Sequence, residues 1–376
     1  MAEIYRAFTF SDDGARRDVA IKQLLPAYTD DPQFVDMLID EYKIVSAARH
    51  RNIAEVYELS RINGTLIISM EYVDGKDLRS TLSAGGNRGI RMKFDDAAYI
   101  VAKALDGLNV AHRATGRDGE SIGVVHRDFS PSNILLGYSG HVKLCDFGVA
   151  KASNNRAKTK TGIIKGKVNY MSPEQAFGRQ LDARSDIFSA GSVLYELCTG
   201  RVPFRGKGEV DLILAVRDAK PTPAQAINRH IPTALARIIT KAMKRSRSAR
   251  YQTASEFRDA LYSFLRKESP DYRRIRLSRY MKKLWQEEID AELRVLEDYV
   301  LNLEPAAEVD YGRNLIADAL GPGATYEQFS PVPTLHHEST VRDPQLQSQE
   351  TLAHSKVDDD AASREQQDTR ILKGTT

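Results

Sequence analysis

The chain has 376 residues, 41% hydrophobic and 28% charged, with 54 Lys and Arg against 51 Asp and Glu for a formal net charge of +3. That length holds two folded units, or one large unit and a tail, and that apolar share is enough to bury a core. So small a net charge carries no nucleic-acid signal, and two cysteines, Cys145 and Cys198, exclude a disulfide framework. No apolar run approaches the roughly 20 residues that span a bilayer, and Glu3, Arg6 and Asp12 do not fit a signal peptide. The expectation is a cytoplasmic protein with no membrane span and no nucleic-acid partner.

Residues 4–10 and 18–24 alternate and carry β-formers on either side of Ser11-Asp12-Asp13-Gly14, which predicts a hairpin. Asp31-Pro32 opens a helix with Phe34, Leu38, Tyr42 and Val45 on one side, closing near His50. Strands over 53–59 and 65–72 follow, joined by Asn63-Gly64, so the first 73 residues predict a small sheet with one helix. Past Asp74-Gly75 the periodicity turns helical, with a long helix from Phe94 through His112, another through Phe188 and Leu197, and more to about 266. Residues 74–268 thus form a larger, mainly helical unit, with a hinge and cleft at Glu71-Tyr72-Val73.

Over 269–303 an amphipathic helix is predicted, with Leu277, Met281, Leu284, Ile289 and Leu293 on its stripe, basic in front and acidic behind. This opposes the helix macrodipole, so the pattern fits either an antiparallel homodimer or packing onto the same chain. Residues 304–376, rich in Pro, Gly, Ser, Gln and Asp, are expected to be disordered.

The chemistry concentrates in Val124-Val125-His126-Arg127-Asp128-Phe129-Ser130-Pro131-Ser132-Asn133, followed by Cys145-Asp146-Phe147-Gly148, with short apolar runs at 134–136 and 142–144 between them. Either tripeptide alone marks a solvated turn. In this order they place a carboxylate, an amide and a second carboxylate at the ends of two short strands, as phosphoryl transfer from a Mg-nucleotide requires. Asp128 would orient the attacking hydroxyl, and Asn133 and Asp146 would hold Mg2+. Upstream, Lys22 in Val19-Ala20-Ile21-Lys22 would meet the nucleotide phosphates, fixed by Glu41 of the first helix.

With Ser172-Pro173-Glu174, with Asp186 through Gly191 and with Arg250, these residues complete a signature set over about 1–266, and the chain resembles the Hanks-type serine/threonine protein kinases, bacterial branch. The resemblance implies a bilobal α+β fold, ATP and Mg2+ as cofactors, and protein substrates. It also implies an adenine pocket of Ile4, Ala20, Leu135, Met70 and the backbone of Glu71 and Val73. A hydrophobic column would run through Val45, Leu66, His126 and Phe147, and Arg250 would pair with Glu174.

Two departures stand out. The family's glycine-rich loop is visible only as its tail, Met1-Ala2-Glu3-Ile4-Tyr5, and the missing glycines would lie upstream of Met1. Either the start lies further upstream or the chain is a weakly catalytic pseudokinase acting as a scaffold. Second, Ser130 stands where the family places Lys, and Lys167 stands where it places Thr, as if cation and hydroxyl were exchanged. We expect Lys167 to reach back toward Asp128 and the γ-phosphate. With those markers altered, tyrosine specificity is disfavoured but stays open, and Ser172-Pro173-Glu174 disfavours a small-molecule phosphotransferase. Arg127 implies a phosphorylated activation-loop residue among Thr159, Thr161 and Ser153. In the tail, Thr340, Thr351 and Thr369 each follow an acidic residue or lie close behind one, which fits autophosphorylation sites for a phosphothreonine-binding partner and equally a random polar sequence.

Overall fold

The computed structural model describes residues 2–10, 16–62, 64–116, 119–148, 165–301 and 326–329. Strands β1 (Ala2–Phe10) and β2 (Arg16–Leu24) form the expected hairpin, with Ala7 opposite Val19 and Ile4 opposite Lys22. Helix α1 (Pro32–Ala47) starts as read, because Asp31 accepts the Gln33 N–H at 3.0 Å and Pro32 sits where no intrahelical donor is needed. Such a cap is worth about 1 kcal/mol. The helix ends at Ala47, three residues before His50.

Strands β3 (Val56–Ile62) and β4 (Thr65–Glu71) turn at Gly64, whose φ of 77° is the left-handed conformation glycine adopts without steric cost. The earlier strand expected at 53–59 starts late for a definite reason. Ala54 N–H donates to Leu144 O at 2.9 Å and Leu144 N–H to Asn52 O at 2.8 Å, so residues 52–54 are drawn to the other lobe instead of the sheet. The sheet is antiparallel in the order β1-β2-β4-β3-β8, where β8 (Tyr326–Phe329) lies on the outer edge of β3. These four residues are a strand within the stretch expected to be disordered; the rest of 304–376 lies outside the described residues.

After the hinge, β5 (Gly75–Asp77) was missed by the helical reading, being only three residues long. It pairs with β6 (Ile134–Gly137), which pairs with β7 (Val142–Leu144), the two strands expected around the metal residues. Helices α2 (Leu78–Asn87) and α3 (Phe94–His112) follow. Beyond the site come α4 (Lys165–Val168), α5 (Pro173–Ala176), α6 (Ala183–Thr199) and α7 (Glu209–Asp218). The series continues with α8 (Ala224–Ile227), α9 (Thr233–Ala242), α10 (Ala254–Glu268), α11 (Arg274–Leu284) and α12 (Gln286–Leu301). Helices α3 and α6 are buried on most sides and carry the centre of the large lobe, so this is a small β lobe and a mainly helical lobe sharing one hydrophobic core.

The helix expected over 272–303 is two, broken at Trp285. Leu277, Met281 and Leu284 are fully buried against this same chain. Arg276 pairs with Asp95 at 2.9 Å, Arg88 with Glu288 at 2.9 Å, and Lys76 with Glu292 at 3.1 Å. Arg276 in the basic half and Glu288 and Glu292 in the acidic half thus find partners within the chain, which weakens the charge argument for an antiparallel dimer. No helix among the described residues is long and apolar enough to cross a membrane.

Candidate active site

The catalytic loop is held from below by one carboxylate. Asp186, buried at the start of α6, accepts the N–H of His126 at 2.8 Å and of Arg127 at 2.9 Å, and its Oδ2 lies 2.7 Å from His112 Nε2. This clamp holds Arg127 at a φ of 63°, an unfavourable region for a side chain of that size. Sequence reasoning placed Asp186 at a helix start but missed its grip on the loop; its position in the first turn of an otherwise apolar helix was the available signal.

Asp128 then projects where Asn133 and Lys167 converge on it. Asn133 Nδ2 donates to Asp128 O at 2.8 Å and to Oδ2 at 3.0 Å, while Lys167 Nζ, delivered by the short helix α4, lies 2.5 Å from Asp128 Oδ2. The cation half of the expected exchange is therefore in contact with the carboxylate. The hydroxyl half is not formed: Ser130 Oγ is buried and without a hydrogen-bond partner among the described residues.

Gly148 lets the second motif close on the first. A Cβ there would sit 3.0 Å from both Asp128 Cβ and His126 O, and its N–H donates to His126 O at 2.8 Å. Phe147 packs its ring 4.6 Å from that of His126, and both are buried together with Val45 and Leu66. Burial pushes the His126 imidazole below its usual pKa, which keeps it neutral: Nδ1 accepts the Asp128 N–H at 3.3 Å and Nε2 faces Cys145 O at 3.2 Å.

Lys22 ties the two lobes. Its Nζ lies 2.7 Å from Glu41 Oε1, 3.0 Å from Oε2 and 2.8 Å from Asp146 Oδ1, with Asp146 at a φ of 53°. Burial alone would discharge the ammonium, but Asp146 and Glu41 hold its pKa well above the usual value. One ammonium faces two carboxylates, and they divide. Asp146, despite its burial, is held low by Lys22, whereas burial, with Asp146 adding to it, pushes Glu41 up.

At the end expected to receive the nucleotide, Ala20 and Met70 are paired across β2 and β4, and Leu135 is half-buried on β6. Ile4 is 61% exposed on β1, facing solvent in this conformation. Glu71 engages Lys143 Nζ at 2.6 Å, a pair between distant residues that no local spacing announces. Glu174 and Arg250 form a fully enclosed bidentate pair at 2.6 and 2.8 Å. Thr159, Thr161, Ser153 and the tail threonines lie outside the described residues.

The side chains expected to hold a metal would suit Mg2+. Asn133 spends its Nδ2 on Asp128, so its oxygen and the Asp146 carboxylate form an all-oxygen pair, the small protein share that Mg2+ takes when nucleotide phosphates and water complete its shell. No group of three or more His, Cys, Asp or Glu that would hold a metal by itself occurs among the described residues.

Comparisons with known proteins bear on the family of the chain. The family model for the protein kinase domain matches residues 4–263. The chain is 40% identical over 265 residues to the tyrosine-protein kinase MasK of Myxococcus xanthus, covering 70% of this chain and 41% of that protein. It is 34% identical over 256 residues to the serine/threonine-protein kinase PrkC of Bacillus subtilis, covering 68% and 37%. The match thus spans about two fifths of these relatives' length. The crystal structure of the Mycobacterium tuberculosis PknI kinase domain superposes with a TM-score of 0.51 at 24% identity, over 70% of this chain and 91% of that one, a likeness of fold. The chain belongs to the protein kinase domain family, in its Hanks-type bacterial branch.

Proposed function

We propose that this protein is a Mg-ATP-dependent protein kinase that transfers the γ-phosphate to serine and threonine hydroxyls of proteins, including its own activation loop. The observation that carries the reading is the closed arrangement of Lys22 with Glu41 and Asp146, beside Asp128 bound by Asn133 and Lys167. A pseudokinase has no need to keep two carboxylates on one buried lysine, a costly arrangement unless the cation has work to do.

Bound Mg-ATP would supply the transferable phosphoryl group and the charge neutralisation that its transfer needs. Lys22 would hold the phosphates, anchored by Glu41. Asp146 and the Asn133 oxygen would be the protein's metal ligands. Asp128, aimed by Asn133, would orient the substrate hydroxyl and accept its proton. Lys167 would place a positive charge beside Asp128, where negative charge builds in the transition state. Ala20, Met70, Leu135 and Ile4 would enclose the adenine, with the backbone of Glu71 and Val73 reading its edge.

A second reading, tyrosine as acceptor, is favoured by two observations: Ser130 stands two residues after Asp128 where the serine/threonine kinases place a lysine, and one relative at 40% identity is named a tyrosine-protein kinase. Phosphoamino-acid analysis of the autophosphorylated protein separates the two. Phosphoserine and phosphothreonine are expected; phosphotyrosine alone would replace the first reading with the second.

A further inference from the structure

A cavity of about 600 Å3 lies against the hinge and shares none of Lys22, Glu41, Asp128, Asn133, Asp146 or Lys167. Its floor is the hinge itself, from Glu71 to Asp74, and its walls bring Arg51, Lys103, Lys143, His141 and Arg274 together from four separate parts of the chain. Four cations against two carboxylates is an imbalance that the local pairs do not remove. Lys143 is matched by Glu71 at 2.6 Å. Lys103 shares Asp106 with Arg258, each at 3.3 Å. Arg274 faces only the imidazole of His141, and exposed Arg51 has no ion pair or hydrogen bond among the described residues. The second carboxyl, Asp74, is pushed toward its neutral form by burial and by Glu292. Burial first, and then these cations, also hold His50 and His141 below their ordinary pKa. Like charges gathered in a concave, partly desolvated site attract an anion more strongly than the same charges spread over a surface.

We propose that this pocket is a docking site for an acidic peptide segment of the protein substrate, seated on Arg51, Lys103 and Arg274 beside the hinge. The proposal rests on the kinase reading above, which supplies the protein substrate. The volume lies in the range of ligand pockets and admits a few side chains, too little for a nucleic-acid strand to track along. Because the occupant touches Glu71 to Asp74 from outside, it would also report on the segment that lines the nucleotide end.

The test has a binding arm and a kinetic arm. Fluorescence anisotropy with a fluorescein-labelled hexa-aspartate peptide, and a hexa-lysine control, is run on the full chain carrying Asp128→Asn, so docking is read without catalysis. The acidic probe is expected to bind, more weakly as salt rises, and the basic one not to bind. Arg51→Glu turns one exposed attraction into a repulsion and should weaken binding about tenfold. Its melting temperature should not change, since Arg51 has no partner to lose. In the kinetic arm, Arg51→Glu should raise KM for a serine peptide extended by an acidic segment, leaving kcat, and KM for the unextended peptide, as they were. Unchanged affinity in Arg51→Glu, or an equal rise in KM for both peptides, overturns the proposal. So does a full chain that binds the probe only when Asp358, Asp359 and Asp360 are changed to Asn, because its own tail would then be the occupant.

Discussion

Replacing Lys167 isolates the feature that sets this site apart. Lys167 Nζ and Asp128 Oδ2 are 2.5 Å apart, with the lysine side chain 37% exposed and the aspartate 10%. The gross Coulomb attraction at such a separation is several kcal/mol, but with over a third of the lysine in solvent its net worth to the resting fold falls to about 1 kcal/mol. In the transition state the same charge meets negative charge that is only then developing, and losing one such preorganised group typically costs about 100-fold in kcat, or roughly 3 kcal/mol. Lys167→Thr should therefore melt within a few degrees of the parent and yet turn over about 100-fold more slowly, measured with radiolabelled ATP at saturating peptide. Adding Ser130→Lys puts a cation back from the other side, and the double variant should recover about tenfold over Lys167→Thr, so the coupling is at least about 1.4 kcal/mol. If the two single losses simply add, Lys167 and Ser130 are independent and the exchange is not part of catalysis.

Further expectations follow from the rest of the geometry. Arg250→Met strands the buried Glu174 carboxylate and should destabilise the protein by about 3–5 kcal/mol, read by denaturant unfolding. Glu174 is held below its ordinary pKa of 4.5, burial opposing and Arg250 prevailing, so its contribution is present above 4.5 and lost as the pH falls through the lowered value; Arg250→Met should flatten that acid-side loss of stability. Lys22→Met leaves Glu41 and Asp146 without their shared cation and should lower kcat/KM for ATP by at least about 100-fold, whereas Glu41→Gln keeps a hydrogen bond to Lys22 and should lose less. Glu292 on α12 joins Lys76 at 3.1 Å to Arg6 of the small lobe at 3.9 Å, so Glu292→Ala should cost about 1 kcal/mol or less and increase hydrogen exchange at the hinge.

What could be read from the sequence was whatever depends on local spacing. Asp31-Pro32, Gly64 and the run from Phe94 to His112 announce their elements because caps, turns and a 3.6-residue period are properties of neighbours. The motif order likewise groups Lys22, Asp128, Asn133 and Asp146 in one site, and Lys22 meets Asp146 as Asn133 meets Asp128. Features made by distant partners were not legible. Residues 52–54 look like a strand start, yet Leu144, some 90 residues on, takes their hydrogen bonds. Trp285 sits in a continuous amphipathic pattern, and only packing of Leu277, Met281 and Leu284 onto this chain fixes the break there. The grip of Asp186 on the catalytic loop and the pairing of Glu71 with Lys143 are of the same kind. Ser130 was tied to Lys167 by sequence logic, and in the structure only the lysine reaches Asp128.

If the carboxylates and cations gathered around Asp128 and Lys22 perform phosphoryl transfer to protein hydroxyls, label must pass from ATP to protein through Asp128. Incorporation of label from γ-labelled ATP into a generic protein substrate and into the chain itself, with Mg2+ and compared with Asp128→Asn, tests it most directly. Mg2+-dependent incorporation into serine and threonine is expected, falling at least about 1,000-fold in Asp128→Asn, which keeps the fold and the hydrogen bond to Asn133 but not the charge. Equal incorporation by the two proteins, or none above background in either, would contradict it.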